Sequence, residues 1–152
     1  MARFETTGLD EIIESMGKMG QTTGALAEKM LFAGAEQIKL AWKQSANEHK
    51  LRLTDQMFNS IGYANKPNKA SDILSIDIYP QGLSTYTKDT KGKIFIRKKA
   101  IRNAEIAFVN HYGTSKRPGT HWVDTADDIA GPLVEEELQK IYDEWLEKNG
   151  YL

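Results

Sequence analysis

The sequence predicts an α+β domain, in which a small and mostly antiparallel β-sheet packs against a long N-terminal helix and a C-terminal helix. Three observations carry that prediction. Residues 22–47 hold an apolar stripe at three- and four-residue spacing, residues 73–79 alternate apolar with polar side chains, and residues 133–146 return to helical spacing. The order helix, helix, strands, helix places helices on one face of a sheet.

The elements follow in order. Residues 9–19 read as a short helix: Ile12, Ile13, Met16 and Met19 share a face, Asp10 and Glu11 suit its positive end, and Gly20 ends it. Thr22 or Thr23 can cap a second helix running to about Asn47, with the stripe Ala27, Met30, Leu31, Gly34, Ile38, Ala41, Trp42 and Ser45. Residues 51–63 suit a turn and a short helix, because Thr54 and Asp55 offer capping oxygens and Met57, Phe58 and Ile61 share a face. Residues 65–71 (NKPNKAS) read as a loop. Residues 73–79 form a strand with Leu74, Ile76 and Ile78 inward and Ile73, Ser75, Asp77 and Tyr79 outward.

Residues 80–93 are polar and carry Gly82 and Gly92, which suits a long connection with a hairpin around residues 83–86. Residues 103–109, with Ile106, Phe108 and Val109, read as a half-buried strand that residues 110–113 end. Asp124 or Thr125 then caps the last helix, whose first turn holds Asp127 and Asp128. Val134, Leu138, Ile141 and Trp145 form its buried stripe, with Leu133, Tyr142 and Leu146 widening it, and Pro132 should kink it.

Composition narrows the functional classes. At 152 residues the chain fits one domain, 1–152, large enough to bury roughly two-thirds of the surface its unfolded form exposes. It has no cysteine, which excludes a disulfide framework, a thiolate zinc site and a cysteine nucleophile, and suits a reducing cytoplasm. The N-terminus lacks a basic stretch followed by an apolar core, and no segment has the roughly 18 apolar residues of a membrane span, so a soluble protein is expected. Twenty basic residues against 21 acidic ones give a net charge of −1, which does not suggest wholesale binding to nucleic acid or anionic membrane.

The distribution of charge says more than its sum. Lys91, Lys93, Arg97, Lys98, Lys99 and Arg102 surround Ile94, Phe95 and Ile96 with no acid among them, whereas residues 124–147 hold nine acids and Lys140 alone as a base. The plain reading is two solvated faces. The sharper one is that the basic segment of one subunit meets Asp127, Asp128, Glu135 and Glu136 of the next, since a ring needs a head-to-tail contact. A further reading puts Lys98 and Lys99 in a lumen, in transient contact with passing DNA phosphates. Trp42 and Trp145 lie on helical stripes and read as core, and Trp122, in a basic proline-glycine loop, as an exposed interface anchor.

His111, His121 and Asp124 are ordinary ligand types for a divalent metal, the setting of a metal-dependent hydrolase. Their spacing is unlike the close ligand pairs of metal-binding helices, so the expectation is that His111 ends a strand, His121 lies in a surface loop, and neither metal nor cofactor is bound. There is no glycine-rich phosphate cradle, no serine in a nucleophile-elbow pattern and no histidine pair on one helical turn, so an enzyme is not expected.

One resemblance gathers these segments. Residues 102–126 read RNAEIAFVNHYGTSKRPGTHWVDTA, residues 54–61 read TDQMFNSI, and Phe4, Gly8 and Leu9 stand near the start. In this order they resemble the small neck or tail-completion proteins of long-tailed siphophages, the gene-product-ten-like family of the lambdoid coliphages. That family opens a helix with a phenylalanine and a glycine-leucine pair. It then has a threonine, glycine, any, leucine, two more, serine, isoleucine pattern, in which Asp55 here replaces the glycine. A basic run ending in arginine, asparagine, alanine, glutamate leads to asparagine, glutamate, tyrosine, glycine, where His111 stands in place of the acid. A proline, alanine, arginine, proline, phenylalanine segment before the last helix is loosely matched by residues 118–123.

The resemblance implies a structural protein of the head-to-tail connector that joins the DNA-filled head to the tail, acting by assembly rather than catalysis. It implies a homo-oligomeric ring of about six or twelve copies. The ring would sit between a head-completion (stopper) protein and a tail terminator or tail tube protein, in the virion once assembled and in the host cytoplasm before that, away from any membrane. A tail terminator capping the tube is the nearest alternative.

Overall fold

The structure, a computed structural model, describes residues 20–71 and 73–151, with side chains from Gly24 onward. The helix expected over residues 9–19, and Phe4, Gly8 and Leu9, lie outside the described residues. Two long antiparallel-ladder-free elements dominate: α1 (Gly20–Glu48) and α4 (Trp122–Lys148), which pack against each other along their lengths. Their seam is built from small side chains. Ala35, Ala41, Ser45 and Ala46 of α1 and Ala126 and Ala130 of α4 are buried, and a Cβ on Gly34 would touch Val134 Cγ1 at 3.6 Å and Leu138 Cδ2 at 3.8 Å. Close approach of this kind gives up apolar bulk in exchange for dense contact.

Between the helices the chain makes α2 (Gln56–Ser60), β1 (Ile61–Gly62), β2 (Asn68–Ala70), β3 (Ile73–Ser75), β4 (Tyr79–Pro80), β5 (Leu83–Lys88), β6 (Ile94–Arg102), α3 (Asn103–Tyr112), β7 (Gly113–Thr114) and β8 (Arg117–Pro118). The strands pair antiparallel, β1 with β4, β2 with β3, β5 with β6 and β7 with β8. The core gathers Ala46, Leu51, Met57, Ile61, Ala107 and Trp122, with Trp42, Phe58, Ile78, Ile106 and Val123 packed around them.

Several expectations hold. The long helix runs about where its stripe placed it, the short helix follows residue 55, and Leu74, Ile76 and Ile78 are the half-buried positions of 73–79 while their alternates are exposed. Others are corrected. Residues 68–70, expected as loop, pair with β3, and the ladder over 73–79 breaks at 76–78 before β4. The connection expected over 80–93 is largely the strand β5, which forms a hairpin with β6 through a turn where the Asp89 carboxylate accepts from Lys91 N–H and Lys93 N–H, each at 2.9 Å.

The largest correction is that residues 103–109 are helix, not strand. Asn103, Ala107 and His111 are the buried positions of α3, at the four-residue spacing of one helical face, and Phe108 and Val109 are left outside. Two alanines and Glu105 favour helix there, and β6 has already supplied the strand that ends at Arg102. The last helix begins at Trp122, ahead of the caps expected at Asp124 or Thr125; His121 is its N-cap, at φ 52°, with no side-chain cap. It continues through Pro132.

Candidate functional site

The β5–β6 hairpin is the longest strand pair among the described residues, and most of β6 is exposed. Its register runs Leu83 opposite Arg102 and Ser84 opposite Ile101, then Tyr86 opposite Ile96, Thr87 opposite Phe95 and Lys88 opposite Ile94. Residues 97–100 of β6 therefore face the single residue Thr85, a bulge that carries Arg97, Lys98 and Lys99. Gln56 of α2 holds this irregularity. Its Oε1 accepts from Thr85 N–H and Tyr86 N–H at 2.9 Å each and from Ser84 Oγ at 3.1 Å, and its Nε2 donates to Thr85 Oγ1 at 2.9 Å. Ser84 is buried beneath it. Gln56 was not singled out in the sequence; a polar residue opening a helix carries no signal that it reaches a strand some 30 residues away.

The hairpin carries cations and large apolar side chains together. Lys91, Lys93, Lys98, Lys99 and Arg102 are exposed, and Arg97 is half-buried with its Nε donating to Tyr86 O at 3.1 Å. Ile94, Phe95, Ile96, Leu83 and Tyr86 are exposed beside them, Ile96 to 77 %. Single exposed apolar residues are ordinary, but the register puts Ile94, Ile96 and Tyr86 on one face of the ladder, with Phe95 on the other, and three together make a patch of the kind that marks contact surfaces. A second apolar patch lies on α3, where Phe108 and Tyr112 are exposed with ring centroids 4.6 Å apart beside a groove lined by Trp42, Tyr79, Pro80 and Val123.

The acidic patch is on α4. Asp127, Asp128, Glu135 and Glu136 are exposed. Arg102 pairs with Glu105 at 3.0 Å, but among the described residues none of Lys91, Lys93, Arg97, Lys98, Lys99, Asp127, Asp128, Glu135 or Glu136 is in an ion pair. The two patches do not neutralise each other within one chain.

Trp122 is not an exposed anchor. It is fully buried, packs edge-to-face on Trp42 at 5.2 Å, and donates from Nε1 to Ala107 O at 3.2 Å. Its own carbonyl accepts from the buried Ser45 Oγ at 2.5 Å, which ties α1, α3 and α4 together.

The structure brings together the three residues whose spacing had argued against a shared site. His111 lies in the last turn of α3, His121 caps α4, and Asp124 stands in the first turn of α4. One ligand atom from each lies within 4.8 Å of the others. The rings of His111 and His121 meet edge-to-face at 5.0 Å, and His121 Nδ1 lies 3.7 Å from Asp124 Oδ2. The histidines stand ten positions apart, but His121 N–H donates to His111 O at 3.1 Å, closing the intervening loop. Gly113, at φ 84°, and Gly119 make the closure possible, because a Cβ on either would collide with backbone: Gly119 N for Gly113, His111 O for Gly119.

One hydrogen bond alters a titration. Tyr63 donates to Glu36 Oε2 at 2.6 Å, and that bond, with burial and the neighbouring carboxylate charge, pushes its phenol up to about 12. No helix among the described residues is long and apolar enough to cross a membrane. Compared with known proteins, the chain matches no family model, no curated protein and no solved structure.

Proposed function

We propose that this chain is a structural protein of a phage head-to-tail connector, a neck or tail-completion component that assembles as a ring and acts without catalysis. The resemblance of its ordered segments to that family supports the reading. The observation that carries it is the β5–β6 hairpin: a basic two-stranded element on which, among the described residues, Leu83, Tyr86, Ile94, Phe95 and Ile96 stay exposed. A two-stranded hairpin is marginal in water, and one with five large apolar residues in solvent gains from burial against a partner.

The contact is head-to-tail. The hairpin cations of one copy face the Asp127, Asp128, Glu135 and Glu136 side of α4 on the next copy, and Ile94 and Ile96 supply apolar area within the charged rim. A heterologous contact closes into a ring when its rotation divides the circle. The charges steer the approach and set the orientation; the apolar residues supply most of the affinity. Lys98 and Lys99, on the bulge, are the cations best displayed for the DNA that passes through such a ring, and their contact is with phosphate and independent of sequence.

In vitro joining tests the reading. Purified protein added to filled heads and separate tails should restore infectious particles; Lys98→Glu with Lys99→Glu should abolish the gain, and Asp127→Lys with Asp128→Lys in the same chain should recover part of it. Joining at normal yield by the Lys98→Glu, Lys99→Glu protein would remove the charge-paired contact.

A further inference from the structure

We infer that His111, His121 and Asp124 bind a divalent transition-metal ion of the zinc type at the corner where α3 ends and α4 begins. This stands independently of the connector reading. The ligand atoms, all within 4.8 Å of one another, need to close to roughly 3.4 Å, the edge of a tetrahedron with metal–nitrogen bonds of about 2.0–2.1 Å. The closure falls on the side chains that are free to move: those of His121 and Asp124 are 62 % and 70 % exposed, whereas His111 is 8 % exposed and fixed in the last turn of α3.

The backbone is already in place. His121 N–H to His111 O, Thr120 N–H to Asn110 O at 2.9 Å and Thr120 Oγ1 to Asn110 O at 2.8 Å hold the two histidines together before any ion arrives, so binding orders two side chains and no segment of chain. The ring of His111 is held by one long bond, the 3.3 Å contact from Val123 N–H to its Nδ1. The electrostatics are balanced. The positive end of α4 disfavours a cation, the negative end of α3 favours one, and the Asp124 carboxylate adds the charge that decides the sign. Two imidazoles and one carboxylate suit a borderline ion such as zinc better than calcium or magnesium, which prefer an all-oxygen shell. Three protein ligands leave a coordination position open to water or to a carboxylate or imidazole of another chain.

Tag-free protein freed of metal by chelator and titrated with zinc chloride at neutral pH should take up about one equivalent, and zinc should raise its melting temperature. His121→Asn and Asp124→Asn, both exposed substitutions, should each weaken uptake by at least about tenfold, the scale on which metal sites respond to lost partners. His49→Gln should not, since His49 bonds Thr125 Oγ1 and lies outside the cluster. Should a variant fail to fold, the imidazole resonances of the wild-type protein decide: shifts at His111 and His121 with His49 unmoved support the site. No uptake at 100 µM zinc, about a hundred times a micromolar dissociation constant, or uptake equal in all three variants, would overturn it.

Discussion

A few side chains hold this fold by joining elements far apart in sequence. Trp122 is the clearest, with its ring on Trp42, its indole N–H on Ala107 O and its carbonyl on Ser45 Oγ. Trp122→Ala should cost about 3–5 kcal/mol, read as a fall in the urea midpoint, because it opens a cavity and removes the indole bond to Ala107 O. An interface anchor would instead lose assembly and keep its stability. Tyr63 gives a second residue-level test. Its phenol is raised in the folded state, so the unfolded chain loses its proton first; the stabilisation is complete below about pH 10 and is lost as pH rises toward about 12. In an ultraviolet titration the absorbance step missing from Tyr63→Phe should be the late one, and Glu36→Gln should move it earlier.

At the scale of elements, what was legible in the sequence was whatever a single period could express. The stripe of α1 and the alternation of 73–79 follow from burial on one face, so they survive even where the ladder over 76–78 does not form. The strand expected over 103–109 is helix: Ile106, Phe108 and Val109 imitate a strand, while the inward face of α3 is Asn103, Ala107 and His111, two of them polar. Hydrophobic pattern cannot report a face buried by hydrogen bonds: Asn103 Nδ2 donates to Gln81 O at 2.8 Å. The His111, His121 and Asp124 cluster was hidden similarly, since a glycine-dependent loop closes the distance that sequence spacing left open. Gly119→Ala should therefore cost more than about 1 kcal/mol of stability, and should weaken zinc uptake, because the backbone near His111 must move. Gln56→Ala removes three acceptor contacts from the β5 bulge. It should cost about 1–3 kcal/mol locally, so that the Thr85 and Tyr86 amides exchange faster while amides of the α1–α4 seam keep their protection.

Across the whole molecule, the packed core and the proposed association surface fall to different parts. The α1–α4 seam and the cluster around Trp122 hold the fold, and the hairpin leaves cations and apolar side chains exposed. Ile96→Asp should leave the melting temperature within a few degrees of the parent, since the side chain is 77 % exposed and the fold gains little from it, yet it should prevent ring formation and head–tail joining. Salt should act in the same direction, weakening association more than folding, because the unpaired patches on β6 and α4 are solvent-exposed.

Electron microscopy of a lysate in which this gene carries an early stop codon tests the connector role most directly. A neck protein leaves filled heads alongside separate tails of normal length. Tails of uncontrolled length would point to a terminator instead, and intact infectious particles would contradict a role in joining altogether.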